Sequence, residues 1–295
     1  MNKLGVHALV WVAGWSHEEC DRAIAQSAEL GFDLIEIAAL DPDSIDVDYT
    51  RRALEKHHLG VTFSLGLDAG TDVSSGDAEK MKRGEERLLK VVAIARDLGG
   101  THVTGITYSA FQKYFAPPTA AGIAGSVEVL RRVAERAAAS GITIGVEVVN
   151  RYESNVLNTA AQAVEYVRRV GAKNLKVHLD TYHMNIEEAD VEAAIIDTGE
   201  YLGYFHIGES NRGYLGAGSV DWSPIFRALA KARYAGPITF ESFSSKVVGQ
   251  PLEGILGIWR NLWDDGHDLA RHARAYIQAQ IKSASETMAV RGRLP

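Results

Sequence analysis

Short runs rich in β-branched and apolar residues alternate along the chain with longer stretches whose apolar positions recur every three or four residues. The short runs fall at 5–11 (GVHALVW), 34–39 (LIEIAA), 61–67 (VTFSLGL) and 102–108 (HVTGITY). Four more follow at 143–150 (TIGVEVVN), 175–184 (LKVHLDTYHM), 203–210 (GYFHIGES) and 237–244 (PITFESFS). Runs of this length and composition predict strands. The periodic stretches predict helices over 16–30, 46–58, 77–98, 119–140, 158–171, 190–200 and 222–234, an eighth beginning near Pro251, and a further helix over 267–288.

The boundaries have local causes. Ser16 followed by Glu19 forms a capping box ahead of an apolar face made by Ala23, Ile24, Ala28 and Leu30. Gly31, Gly60, Gly99, Gly141, Gly171 and Gly236 each stand just past a predicted helix, where a left-handed cap residue is wanted. The phrase helix–Gly–strand recurs as AELGFDLIEI, EKHHLGVTF, RDLGGTHV and AASGITIGV. Eight βα units without a long polar linker predict an α/β fold, a single (β/α)8 barrel spanning residues 1–295 with an extra C-terminal helix. The last residues, RGRLP, read as a disordered tail.

Side-chain parity on strands 5 to 8 carries the chemistry, because successive residues of a strand face opposite ways. Ile144 and Val146 oppose Thr143, Gly145 and Glu147; Val177 and Leu179 oppose Lys176, His178 and Asp180; Phe205 and Ile207 oppose Tyr204 and His206; Ile238 and Phe240 oppose Thr239 and Glu241. The apolar side must meet the outer helices, so the polar side faces the barrel interior. Glu147, Asp180, His206 and Glu241 end, or nearly end, their inner rows. They converge on the C-terminal mouth, where barrel enzymes keep their active sites. Three buried carboxylates cannot all stay ionised side by side without a cation, since like charges drive protonation. Three oxygens and one imidazole nitrogen make a hard donor set, which predicts a divalent metal: Mn²⁺ first, with Mg²⁺ or Co²⁺ as alternatives. Asn150, Arg151, Glu153, Tyr182, His183, Glu209 and Arg212 follow in the adjoining loops as a candidate outer ring.

Composition narrows the classes. The net charge of −7 and the lack of a long basic tract argue against a nucleic-acid partner. No run approaches the roughly 18 apolar residues of a membrane span, and the apolar N-terminus reads as strand 1, not as a signal peptide. A single cysteine, Cys20, lies at helical spacing with Ala23, Ile24 and Ser27 and reads as a small buried residue. One cysteine makes no internal disulfide and fits a cytoplasmic location. Trp222, Trp259 and Trp263 are expected to pack, and the Trp259–Trp263 segment and last helix are candidate subunit contacts.

The phrases EVVNRYE (147–153), HLDTYHMNIEE (178–188), HIGESNRGYLGAG (206–218) and ITFESF (238–243) resemble the ketose 3-epimerases, which act on D-tagatose, D-allulose or L-ribulose within the wider xylose-isomerase-like barrels. The resemblance implies a metal on Glu147, Asp180, His206 and Glu241. It also implies a ketose held by Glu153, His183 and Arg212, with Trp11, Phe111 and Phe243 candidates around its far end. It further implies proton exchange at C3 through an enediolate by the catalytic pair Glu147 and Glu241, in a homodimer or homotetramer. An aldose–ketose isomerase moving a proton between C1 and C2, or a lyase of the inosose dehydratase type, would use the same scaffold and donors. A metal-dependent nuclease of this superfold would want a basic groove, which the acidic chain does not offer.

Overall fold

The computed structural model describes residues 2–291. Eight parallel strands pair in sequence order, and β8 closes on β1. They are β1 Leu4–His7, β2 Leu34–Ala38, β3 Gly60–Leu67, β4 His102–Ala110, β5 Thr143–Glu147, β6 Leu175–Asp180, β7 Leu202–Ile207 and β8 Ile238–Phe240. The helices are α1 His17–Glu29, α2 Val47–His57, α3 Ala78–Asp97, α4 Ala120–Ala138, α5 Ala160–Val170, α6 Thr181–Glu187, α7 Val191–Thr198, α8 Trp222–Lys231, α9 Ser245–Val248, α10 Leu252–Ile255 and α11 Gly266–Arg291. The closed barrel anticipated from the repeat is therefore present. Among the described residues, no helix is long and apolar enough to cross a membrane.

Local chemistry explains most starts and stops. Ser16 and Glu19 make the anticipated capping box, and Thr159 with Gln162 makes a second at α5. Gly31, Gly99, Gly141 and Gly171 adopt positive φ as expected of cap residues. Gly60 and Gly236 do not: His58 at φ 53° and Arg233 at φ 53° make those left-handed turns earlier. Gly60 instead opens β3, where a Cβ would stand 3.1 Å from the Asp33 carbonyl oxygen.

Several strands end sooner than the pattern suggests. β1 stops at His7 and passes into a 3-10 turn over Ala8–Val10. Residues 181–184, expected at the end of a strand, belong to α6, because the Asp180 carboxylate accepts from Tyr182 N at 2.8 Å and caps that helix. The stretch after Pro251 holds only the one-turn α10. The expected C-terminal helix is present and longer: α11 packs on α8 and β8, and Arg274 Nε donates to Gly31 O at 2.9 Å beyond α1. It thereby fills the gap in the helix ring between α8 and α1. Arg291, in the expected tail, is the last residue of α11; 292–295 lie outside the described residues.

Alternation divides the barrel wall into two surfaces. Ile35, Phe63, Ile144, Val146, Val177, Leu179, Phe205 and Phe240 are buried in the apolar layer shared with the helices. Truncating one of these, such as Phe205, to Ala would cost about 3–5 kcal/mol. The interior row is polar: Glu36, Thr62, Thr104, His178, Tyr204 and Thr239 are all fully buried. Register keeps that row level, pairing Glu36 with Thr62, Glu147 with His178, His178 with Tyr204 and His206 with Thr239.

Candidate active site

Glu147 and Asp180 are the last residues of β5 and β6, His206 is the penultimate residue of β7, and Glu241 directly follows β8. All four are buried, and each offers an atom to a group lying within 4.8 Å of one another. His206 Nδ1 lies 3.5 Å from Glu241 Oε2, 3.8 Å from Glu147 Oε1 and 4.0 Å from Asp180 Oδ2. It has no hydrogen-bond partner. A buried polar atom seldom goes unpaired without a reason. Donors bound to one cation at about 2.1 Å stand about 3 Å apart, so a small contraction of this cluster would serve a divalent ion. The cluster could therefore bind a metal, and its donor set fits one. Glu147, His178 and His206 form an overlapping trio of possible ligands.

The electrostatics point the same way. Burial pushes the Glu147 carboxyl well above the usual carboxylate range; His206 opposes this, while Glu241, Asp180 and Glu36 add to it. Burial raises Asp180 to about 6 although Arg212 pulls the other way. Burial also disfavours ionised Glu241, but Arg212, His206 and His7 overcome it and hold that carboxyl well below its usual range. For His206, burial favours the neutral ring, yet Glu36 and Glu241 raise its pKa well above the ordinary histidine value. The site concentrates more negative charge than its own cations neutralise.

The three ketose-binding candidates surround this cluster. His183 Nδ1 accepts from Asn150 N at 3.2 Å, which puts the ring proton on Nε2 in the neutral ring. That nitrogen stands 3.8 Å from carboxylate oxygens of Glu147, Glu153 and Asp180. Burial lifts Glu153 to about 7, although Asn150 Nδ2 donates to it at 2.9 Å. Arg212, at φ 58°, reaches Asp180 Oδ2 at 2.9 Å and Glu241 Oε2 at 2.8 Å. Its guanidinium lies over the Tyr182 ring at 4.1 Å and the Phe243 ring at 5.1 Å.

A cavity of about 520 Å³ opens above the cluster, and Phe111 and Phe243 line it. Trp11 does not. Because β1 ends at His7, the following turn carries Trp11 out of the strand, and its Nε1 donates to Ser27 Oγ at 3.0 Å in the buried layer beside α1. Two outer-ring candidates also serve structure. Arg151 pairs with Glu187, and Glu209 gathers Ser210 N, Gly216 N, Val220 N and Trp222 Nε1 around its carboxylate, fixing the loop that presents Arg212. Trp222 and Trp263 are buried as expected, but Trp259 is 77% exposed at the cavity mouth.

The sequence reading missed His7, Glu36 and Ser64. His7 Nε2 lies 3.1 Å from Ser64 Oγ and 3.7 Å from both Glu36 Oε1 and Glu241 Oε1. The signal was available: the parity argument used for strands 5 to 8 puts His7 and Glu36 on the inner row of strands 1 and 2.

A polar, carboxylate-rich mouth on an eight-stranded barrel defines a class, and a family model described as xylose isomerase-like TIM barrel matches residues 24–280. A ketose 3-epimerase of Arthrobacter globiformis is 50% identical over 95% of this chain and 96% of its own. The crystal structure of a D-allulose 3-epimerase from Methylomonas sp., in complex with D-allulose, is 46% identical with a TM-score of 0.93, covering 95% of this chain and 97% of that one. The structure of an L-ribulose 3-epimerase is 43% identical with a TM-score of 0.96, covering all of both chains. The chain belongs to the ketose 3-epimerase family, isomerase-class enzymes of the xylose isomerase-like barrels.

Proposed function

We propose that this protein epimerises free ketoses at C3 with a divalent cation held by Glu147, Asp180, His206 and Glu241. The observation that supports it most is the unpartnered, buried His206 Nδ1, faced by carboxylates from three other barrel positions. Mn²⁺ suits the donor set best, with Mg²⁺ or Co²⁺ as alternatives. When bound, the ion supplies a Lewis acid that stabilises the negative charge left on the sugar oxygens as C3 loses its proton.

The rest falls to the chain's own groups. The neighbouring C2 carbonyl acidifies the C3–H bond. Glu147 and Glu241 suit the two proton-transfer roles: one carboxylate takes the C3 proton from one face, and the other returns a proton to the opposite face through an enediolate. For the reverse substrate the roles exchange. His183 Nε2–H and the Arg212 guanidinium hold the oxygens at O1 and O2, and Glu153 exchanges a hydrogen bond with a hydroxyl between O1 and O3. Phe111 and Phe243 pack against the far end of the sugar.

The relatives named above act, by name, on L-ribulose and D-allulose, which makes these ketoses, with D-tagatose, the first to try. A cytoplasmic homodimer or homotetramer completes the proposal. The single cysteine, Cys20, which makes no internal disulfide, supports the compartment, and mass measured in solution tests the assembly. The activity test uses protein stripped with EDTA and reloaded with Mn²⁺. The expected products are the C3-epimeric ketoses, formed only after reloading. Aldose products would move the assignment to an isomerase, and equal activity in EDTA would remove the metal from the account.

A further inference from the structure

Beneath the four converging residues lies a carboxylate that the proposed chemistry does not use. Glu36 is fully buried inside the barrel, in register with His7 on one side and Thr62 on the other. Its Oε2 stands 2.8 Å from His206 Nε2 and accepts from the Tyr204 hydroxyl at 2.7 Å. That hydroxyl is itself held by Thr62 Oγ1 at 2.7 Å and Thr239 Oγ1 at 2.8 Å. Among the described residues, His7 and His206 are the cation-capable groups within 4.0 Å of Glu36. A carboxylate buried this deeply, with one oxygen held by Tyr204 and aimed at the back of one imidazole, is built to act on that ring.

The ring has two ways to carry a single proton. Three carboxylates face Nδ1 at 3.5–4.0 Å and attract the proton to that side, where it would block the lone pair. Glu36 faces Nε2 and, as an ionised carboxylate, can only accept. In the neutral ring, the form that can bind an ion, it therefore keeps the proton at the back and turns the Nδ1 lone pair towards the cluster. The ring cannot evade this by turning freely, because the His178 ring packs edge-on against it at 4.1 Å.

We propose that Glu36 is a positioning residue for the metal centre: it fixes the tautomer and orientation of His206 so that Nδ1 serves as the ligand atom. This rests on the reading of His206 as a metal ligand. Partners of this kind behind a ligating histidine typically change metal affinity by about 10–100-fold when lost.

The test titrates MnCl2 into metal-free wild type, Glu36→Gln and Glu36→Leu by calorimetry, with melting curves of the three metal-free proteins. The wild type is expected to bind one Mn²⁺. Glu36→Gln keeps the shape but can turn an amide N–H towards Nε2, so about a tenfold weaker affinity is expected; Glu36→Leu should lose about 100-fold. The turnover lost at limiting Mn²⁺ should shrink as Mn²⁺ is raised, which a purely structural defect would not do. If wild type binds no Mn²⁺, the metal reading fails and this inference with it. If wild type binds and both variants bind equally well, the metal reading stands and the role of Glu36 is overturned. Should the Leu variant fail to fold, unchanged affinity in the Gln variant is enough to overturn it.

Discussion

Replacing Glu147 with Gln keeps the side-chain shape while removing one carboxylate from a cluster that already holds too many. The neutral Glu147 carboxyl is favoured in the folded protein, chiefly by burial, so its folded pKa lies above its unfolded one. Such a group costs no stability below the ordinary carboxylate range. It costs progressively more as pH rises above that range, because the unfolded chain ionises first. At pH 7 the metal-free variant should therefore melt at or above the metal-free wild type. Mn²⁺ shifts the comparison towards the wild type. An ion present at about 100 times its Kd adds about 2.7 kcal/mol to wild type, worth roughly 5 °C in a chain of this size. If the variant binds about 100-fold more weakly, the same Mn²⁺ adds only about 0.4 kcal/mol, or under about 1 °C. Turnover should fall at least about 10³-fold, near 4 kcal/mol in the barrier, because a proton-transfer group is gone as well as a ligand. Calorimetric melts in EDTA and in Mn²⁺, paired with turnover at saturating Mn²⁺, read all three effects. A metal-free variant melting several degrees below wild type, or one keeping more than about a tenth of wild-type turnover, would refute the reasoning.

Glu147 and His206 both have raised pKa values in the metal-free site, so an ion that takes them as ligands competes with protons for both. Mn²⁺ added to weakly buffered apoprotein at pH 7 should release protons, and affinity should rise with pH; pH-independent binding without release would contradict this. Gly208 lies where a Cβ would collide with Arg212 Nη1, the nitrogen that contacts Glu241. Gly208→Ala should displace the guanidinium and lower kcat/KM at least about tenfold, the cost of one lost charge-assisted contact, with little change in Tm. Unchanged kcat/KM would mean that Arg212 does not organise the site.

The half of the barrel with charged strand ends was the legible half. On β5 to β8 an acidic or imidazole side chain interrupts an apolar alternation, and parity alone directs it inward. Glu36 carries the same signal within LIEIAA, but one carboxylate in an apolar strand gains meaning only beside its partner, and the pairing of β2 with His206 spans the barrel. Trp11, named for the far end of the ketose on the resemblance alone, follows a β1 that ends at His7, where a 3-10 turn takes it away from the cavity. Most strand ends were overdrawn: β5 stops at Glu147, with Val148 N still donating to His178 O at 2.9 Å but Val149 N turning to Leu157 O at 3.2 Å. Gly60 and Gly236 misled for a related reason, since His58 and Arg233 accept the left-handed turn themselves. The stretch 245–262 was least legible, its apolar residues dividing between a small cluster around Leu252 and Ile258 and the open mouth at Trp259.

The central claim is that a proton leaves and returns at C3 between two carboxylates. Incubating the Mn²⁺-loaded protein with D-allulose or L-ribulose in D2O, and locating deuterium in the sugars by NMR, tests it most directly. The account predicts deuterium at C3, in step with appearance of the C3 epimer, and loss of both in EDTA. Deuterium at C1 or C2 with an aldose product, or epimer formed without solvent deuterium at C3, would contradict it.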